Sequence, residues 1–130
     1  MTADTEMQQT ILVVDDHVDL CRPMTALLKR LGYSAHYATG GEAALAFMST
    51  TTADLVILDV MMPDMDGLEV LRRLKSDPKT EHAPVVMFIG FGDPEFRKHA
   101  LSKGAVDFWI KASVDFSQLR QRITKILPPA

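Results

Sequence analysis

Five short apolar runs recur along the chain, and each ends at a polar or turn residue. Longer segments separate them, in which apolar residues recur every three or four positions, as on one face of a helix. A continuous run of branched apolar residues between turn signals is typical of a strand buried on both faces, as in a parallel sheet. The pattern therefore predicts five strands, at Thr10–Val14, Tyr33–Ala38, Leu55–Asp59, Pro84–Ile89 and Ala105–Ile110.

The segments between and after the strands carry helix signals. We expect Asp19 to cap the first helix, with Pro23 near its first turn, where proline is tolerated. The second begins at a capping-box spacing, Thr39–Glu42, and the third at Asp66. Asp93 and Pro94 begin the fourth, Gly104 ends it, and the last helix presents apolar residues inward, namely Leu119, Ile123, Ile126 and Leu127.

Strands that alternate with helices define the fold class. The count is five of each, which predicts an α/β protein with a doubly wound five-stranded parallel sheet and right-handed crossovers. The less apolar second strand, Tyr33–Ala38, is expected near a sheet edge. The chain has the length of one domain, which we place at residues 10–130, and residues 1–9 are polar and predict a disordered N-terminal tail.

Composition narrows the classes of function. The 130 residues are 47% hydrophobic and 24% charged, as in ordinary globular proteins, and the formal net charge is −3. That charge gives no footprint for binding nucleic acid or an anionic membrane, and no apolar stretch has the length of a membrane span. Cys21 is the only cysteine, so a disulfide framework is excluded and the cytoplasm is the expected compartment.

Ionisable residues stand where three predicted strands end. Asp15 and Asp16 follow the first strand, Asp59 ends the third and Lys111 follows the fifth. Parallel strands bring their carboxyl ends to one edge of the sheet, where such folds bind ligands. Three carboxylates at such short distances repel one another. Mg²⁺ together with the lysine would neutralise their charge. An oxygen nucleophile, Mg²⁺ and a lysine suit the acceptance of a phosphoryl group.

These motifs resemble the receiver domain of bacterial response regulators. The resemblance covers roughly Thr10 to Leu127, and its most specific part is the segment from Asp59 to Gly67. It is carried by three sets of residues in the family's order and spacing, Val14–Asp16, Leu58–Gly67 and Gly104–Lys111.

The resemblance implies a strand order of 2-1-3-4-5 and a role for each motif residue. Asp59 would accept a phosphoryl group from a histidine kinase or a histidine phosphotransfer protein. Asp16, Asp59 and the backbone carbonyl of Met61 would bind Mg²⁺ directly, and Asp15 would do so through water. Lys111 would bind the phosphoryl oxygens, and Phe108 would be the aromatic switch residue.

The resemblance also implies how the protein would act. The last helix, with the helix and strand before it, would bind a downstream protein partner. We expect no enzymatic activity beyond the domain's own phosphorylation and dephosphorylation.

Two positions depart from the family pattern. Ile89 stands where a switch threonine or serine is usual, and it has no hydroxyl to bond a phosphoryl oxygen. Ala112 replaces the proline that usually follows the lysine in a cis peptide bond. A cis bond costs about 2.5–4 kcal/mol before a residue other than proline, so we predict a trans Lys111–Ala112 bond.

Two rival functions stay open on the sequence alone. A pseudo-receiver would keep the fold and bind partners whatever its phosphorylation state, which Ile89 and Ala112 favour. A phosphatase with an aspartate nucleophile would need a second acid two residues after Asp59, where Met61 stands. The four histidines share no ligand spacing, so surface histidines are the better interpretation. For His17, which lies beside the acidic pair, contact with the site is the less favoured alternative.

Overall fold

The structure is a computed structural model that describes residues 8–90 and 94–129. Strands and helices alternate along these ranges as the sequence predicts. The strands are β1 Thr10–Val14, β2 Ser34–Ala38, β3 Leu55–Asp59, β4 Val85–Ile89 and β5 Asp107–Ile110. The helices are α1 Val18–Arg30, α2 Gly41–Thr50, α3 Gly67–Ser76, α4 Pro94–Ser102 and α5 Leu119–Ile126, and short 3₁₀ turns occupy Lys111–Ser113 and Phe116–Gln118.

All four strand pairings are parallel, and the strand order is β2-β1-β3-β4-β5. The predicted fold class and order are therefore confirmed, and β2 lies at an edge as expected. β3 is the central strand, and every one of its five residues is buried. This position accounts for its unbroken apolar sequence, because helices cover both faces of the sheet.

Two apolar clusters form the core, one on each face. On one face β1 and β3 residues pack with α1 and α5 around Trp109, and on the other they pack with α2, α3 and α4 around Phe108. Trp109 is 1% exposed and Phe108 is 6% exposed. The alternation of these neighbouring aromatic side chains across β5 follows from the two-residue period of a strand.

The first helix begins earlier than the sequence indicates, and the prediction that Asp19 caps it is wrong. Its N-cap is His17, whose carbonyl accepts hydrogen bonds from the amides of Leu20 and Cys21 at 3.0 and 3.1 Å. Asp19 instead lies in the first turn, where its charge favours the helix dipole. Pro23 consequently lies inside the helix, where it has no N–H to donate to the preceding turn.

The predicted capping box at the second helix is also wrong. The N-cap is Gly40, which offers no side-chain acceptor. The amides of Gly41 and Glu42 donate instead to the two carboxylate oxygens of Asp64, both at 3.1 Å. A cap supplied by a residue more than twenty positions away leaves no local signal in the sequence.

Other boundaries agree closely with the prediction. Asp66 caps α3 by accepting a hydrogen bond from the Leu68 amide at 2.8 Å. Gly104 follows α4 with φ of 109°, a backbone region that favours glycine. β5 begins two residues later than predicted, because the Ala105 amide bonds to the Ala100 carbonyl at the end of α4. Asp93, the predicted cap of α4, lies outside the described residues.

At the start of the described chain, Gln9 is already attached to the domain. Its carbonyl accepts a hydrogen bond from the Ser34 amide at 2.9 Å, and its side chain donates to the Pro128 carbonyl at 2.8 Å. The rest of the predicted tail up to residue 7 lies outside the described residues. Within the ranges that the structure describes, none of the helices combines the length and apolar character needed to cross a membrane.

Candidate functional site

The predicted acidic residues and the lysine meet at the carboxyl edge of the sheet. Asp15 and Asp16 follow β1, Asp59 is the last residue of β3, and Lys111 follows β5. β1 pairs directly with β3, and β4 lies between β3 and β5, so the three strand ends converge on one small region. Ligand atoms from the three aspartates and from His17 all lie within 4.8 Å of one another.

Lys111 joins the acidic residues as predicted. Its Nζ lies 2.6 Å from Asp15 Oδ2 and 3.4 Å from Asp59 Oδ1. The lysine side chain spans the end of β4, where Nζ lies 5.5 Å from the centre of the Phe88 ring. One ammonium group therefore faces two carboxylates, which leaves the cluster with an excess of negative charge.

Burial makes this excess charge costly. The side chain of Asp15 is 0% exposed and that of Asp59 is 5% exposed. Burial, and then the charge of Asp15, raise the pKa of Asp59, although Lys111 and the backbone N–H of Met61 partly oppose the shift. Burial alone would lower the pKa of Lys111, but the hydrogen bond and charge of Asp15, with those of Asp59, offset burial and raise this pKa.

Asp16 gives the clearest indication that this site binds a cation. Its Oδ1 atom is buried and accepts no hydrogen bond from the described part of the chain, although His17 Nδ1, which is hydrogen-bonded to Asp15, lies 3.2 Å from it. A buried carboxylate oxygen without a donor is strongly disfavoured, and a hard cation satisfies it. Oxygen atoms from three carboxylates are the donor set that Mg²⁺ prefers, so these residues fit Mg²⁺.

His17 contacts the acidic residues, which is the alternative that the sequence favoured less. Its Nδ1 lies 2.9 Å from Asp15 Oδ1 and 3.2 Å from Asp16 Oδ1. The hydrogen bond to Asp15, followed by the charge of Asp16, raises the pKa of His17. The side chain is nevertheless 68% exposed. Its only signal in the sequence is its position beside the acidic pair.

Cys21 is a buried residue that contacts the backbone of Asp15. Its side chain is fully buried and donates to the Asp15 carbonyl at a sulfur-to-oxygen distance of 3.3 Å. Burial, and then the charge of Asp15, raise the pKa of the thiol to about 11. The thiolate is the reactive form of cysteine, so burial and the raised pKa both disfavour reaction of this thiol at neutral pH.

The loop after Asp59 folds back on the end of β3. The Gly67 amide donates to the Val60 carbonyl at 2.7 Å, and a Cβ at Gly67 would lie 2.2 Å from the Asp59 carbonyl oxygen. Glycine is therefore required there by close approach of two backbone segments. Met61 projects from this loop with 81% exposure. Its carbonyl remains a predicted Mg²⁺ ligand.

The atypical switch position borders the site. Ile89 ends β4 and lines a cavity of about 380 Å³ together with Asp59, Met61, Phe96 and Lys111. Phe108 is buried on the same face as α4, with its ring centre 5.8 Å from that of Phe96. The Lys111–Ala112 peptide bond is trans, as predicted. The roles of Ile89 and Phe108 in switching stay predictions.

Fold and site together define a class of protein. A five-stranded parallel sheet in the order 2-1-3-4-5 that gathers three acids and a lysine at its carboxyl edge is the architecture of a receiver domain. The family model "Response regulator receiver domain" matches residues 11–124. The chain belongs to this family, which operates in two-component signalling, and the resemblance inferred from the sequence is confirmed.

Named relatives support the assignment. The chain is 37% identical over 123 residues to a probable cyclic di-GMP phosphodiesterase of Vibrio cholerae, and these cover 95% of the chain and 27% of the relative. It is 42% identical over 105 residues to the response regulator PleD of Caulobacter vibrioides, and these residues cover 81% of this chain and 23% of PleD. The structure of the chemotaxis protein CheY4 of Vibrio cholerae superposes with a TM-score of 0.86 at 25% identity, covering 92% of this chain and 99% of that one.

The extent of these matches differs between the two kinds of comparison. The chain spans about a quarter of the length of the two curated relatives. It matches nearly the whole of the CheY4 chain. What is common to all of them is the receiver domain.

Proposed function

We propose that this domain accepts a phosphoryl group on Asp59 in a phosphorelay, in a reaction that depends on Mg²⁺. The observation that carries the proposal is the position of Lys111 Nζ, at 2.6 Å from Asp15 and 3.4 Å from Asp59. The ammonium group is thereby held beside the oxygen that would attack phosphorus. Lys111 is 24% exposed, so a donor's phosphoryl group can reach it from solvent.

The donor proposed is the phosphohistidine of a histidine kinase or of a histidine phosphotransfer protein. A carboxylate oxygen of Asp59 attacks the phosphorus, and a new oxygen–phosphorus bond forms. The phosphorus–nitrogen bond to the donor imidazole breaks, and its electron pair goes to the ring nitrogen, which takes a proton from solvent. The product is an aspartyl phosphate, whose added charge Lys111 stabilises.

Mg²⁺ would be held by Asp16, Asp59 and the Met61 carbonyl, with Asp15 one water molecule away. When bound, the ion supplies positive charge that offsets the charge on the transferred phosphoryl oxygens. Asp15 also has a second task, since its Oδ2 orients the lysine and its Oδ1 accepts from the His17 amide at 2.9 Å. The buried Asp15 thus fixes the position of the Lys111 ammonium group, which would contact the phosphoryl oxygens.

We place the downstream partner on the face formed by α4, β5 and α5. Two apolar side chains on this side of the domain are exposed, Leu101 at 38% and Val106 at 48%. Burial of these two side chains against another protein would contribute to its binding. The proposal covers both a second domain and a separate protein as this partner. It also places the reaction in the cytoplasm.

One observation favours the pseudo-receiver as the second candidate. Ile89 lines the cavity beside Asp59 with a hydrocarbon side chain. A hydrogen bond to a charged group contributes about 1.5–3 kcal/mol, which is comparable to the whole coupling free energy of a typical allosteric protein. Loss of that bond weakens switching through β4, whereas the acids and Lys111 that carry out the chemistry are intact.

Incubation with acetyl phosphate and Mg²⁺, followed by intact mass measurement, separates the candidates. We expect a phosphoryl adduct that requires Mg²⁺ and that Asp59→Asn abolishes. Absence of the adduct in the wild-type protein would favour the pseudo-receiver. Turnover of an external phosphoester with no adduct on the protein would favour a phosphatase.

A further inference from the structure

We infer that Asp64 is a positioning residue for the Mg²⁺-dependent reaction at Asp59, and that it couples the occupancy of that site to the N-terminus of α2. The inference rests on the proposed function, because it concerns the same reaction. Asp64 lies in the loop between β3 and α3, three residues after Met61 and two before the α3 cap Asp66.

The carboxylate of Asp64 joins two parts of the fold. Its Oδ1 accepts from the Gly41 amide and its Oδ2 from the Glu42 amide, each at 3.1 Å. These are first-turn amides that otherwise have no partner inside the helix. The negative charge also faces the positive end of the α2 dipole. Because Gly40 has no side chain to cap α2, this contact supplies the helix with its cap.

Two glycines show that the contact is close. A Cβ at Gly40 would lie 2.8 Å from a carboxylate oxygen of Asp64, so a side chain there would displace the carboxylate. A Cβ at Gly41 would lie 2.7 Å from Met65 Cβ and 2.8 Å from Val70 Cγ2. The end of α2 therefore rests directly on the loop that follows Asp59, without an intervening side chain of its own.

The same loop is held at both of its ends. Gly67 bonds to the Val60 carbonyl at 2.7 Å, and Met62, between Met61 and Asp64, is buried in the core at 8% exposure. A short loop held in this way moves as a unit, so a shift of the Met61 carbonyl is shared by Asp64. The contact with α2 thus helps to place that carbonyl, and binding at the site is transmitted to α2.

This path is independent of the residue that departs from the family pattern. Ile89 belongs to β4, whereas Asp64 connects the end of β3 to α2 on the other side of the sheet centre. The Asp64 contact therefore carries a signal that does not depend on a hydroxyl at position 89. By thermodynamic linkage, a ligand that stabilises the loop after Asp59 also stabilises the Asp64 cap of α2. Loss of this cap therefore weakens binding of the ligand.

The test measures how the rate of adduct formation with acetyl phosphate depends on Mg²⁺ concentration. We expect Asp64→Ala to raise the half-saturating Mg²⁺ concentration about fivefold, at the lower end of typical coupling between sites. Asp64→Asn keeps one acceptor oxygen and should give a smaller shift. In both variants the rate at saturating Mg²⁺ should stay unchanged, because Asp64 does not touch the reacting atoms.

Asp54→Asn is the matched control. Asp54 also accepts a backbone amide over a long sequence distance, since its Oδ2 lies 2.7 Å from the Thr10 nitrogen, but it does so at the opposite edge of the sheet. This variant should leave the Mg²⁺ dependence unchanged. An unaltered Mg²⁺ dependence in both Asp64 variants, or an equal shift in Asp54→Asn, would overturn the inference.

Amide hydrogen exchange tests the coupling itself. Mg²⁺ should slow exchange of the Gly41 and Glu42 amides in the wild-type protein and leave their exchange unaffected in Asp64→Ala. Equal Mg²⁺ effects in both proteins would refute the coupling.

If the wild-type protein binds Mg²⁺ but forms no adduct, the proposed function fails alone, and calorimetric Mg²⁺ affinities of the same variants then test the role of Asp64. If it binds no Mg²⁺, both fail together.

Discussion

Replacing Lys111 with methionine removes the ammonium group that faces both Asp15 and Asp59 and keeps most of the side-chain volume. Loss of one partner from a buried ion pair costs about 3–5 kcal/mol in folding free energy. Because the Lys111 side chain keeps 24% exposure, we expect a smaller loss, about 2–3 kcal/mol at neutral pH without divalent cations.

The loss should depend on pH in a direction that the structure fixes. Burial and Asp15 raise the pKa of Asp59, and Lys111 opposes this shift, so the variant raises the pKa further. A carboxyl group with a folded-state pKa above its unfolded value loses its stabilising contribution as pH rises through the folded pKa. Lys111→Met is therefore expected to lose more stability at about pH 8 than at about pH 5.

Urea unfolding followed by the fluorescence of Trp109, the only tryptophan, measures both effects. Lys98→Met on the exposed face of α4 is the control and should change stability by less than about 0.5 kcal/mol. A loss in Lys111→Met no larger than in this control, or a loss that is equal at the two pH values, would refute the electrostatic reasoning.

Three further substitutions test separate parts of the structure. Asp59→Asn should raise stability at neutral pH without Mg²⁺, because it removes a buried charge beside Asp15, and denaturant unfolding at two pH values checks that the gain shrinks as pH falls. Ile89→Thr should lower stability by about 1–2 kcal/mol through lost apolar contact. Its new hydroxyl should enlarge the phosphorylation-dependent amide shifts of α4 and β5 in NMR spectra. Gly67→Ala should destabilise the fold by about 3 kcal/mol, since its Cβ would meet the Asp59 carbonyl oxygen, as thermal unfolding can show.

Each of the three has an outcome that contradicts it. Lower stability in Asp59→Asn would mean that the ionised side chain is not disfavoured where it lies. Unchanged amide shifts in phosphorylated Ile89→Thr would mean that a hydroxyl at this position does not restore switching. A normal melting temperature in Gly67→Ala would mean that the loop and strand are not in close contact.

The sequence predicted the parts of this protein that depend on residues close together in the chain. Apolar runs located all five strands, and the strand-end rule brought residues 15, 16, 59 and 111 to one site. It failed where a partner lies far away in sequence. The cap of α2 comes from Asp64, 23 residues after Gly41. The prediction for the start of α1 failed for a different reason, because its N-cap His17 makes no side-chain cap hydrogen bond and so carries no capping signal.

His17 shows a different limit of sequence reasoning. Whether an exposed histidine contacts a neighbouring acid depends on the backbone direction after the strand, which is set by the start of α1. Here the backbone turns so that His17 Nδ1 faces both Asp15 and Asp16. No spacing rule for metal ligands would have found this contact.

The central claim is that Asp15, Asp16, Asp59 and Lys111 form one cation-dependent site, and calorimetric titration with Mg²⁺ tests it most directly. We expect the wild-type protein to bind one Mg²⁺. Asp16→Asn and Asp59→Asn should each weaken binding about tenfold or more, because each removes a charged ligand. Lys111→Met should strengthen binding, because it removes a competing positive charge. Binding of equal affinity in all four proteins, or no binding in the wild-type protein, would contradict the claim.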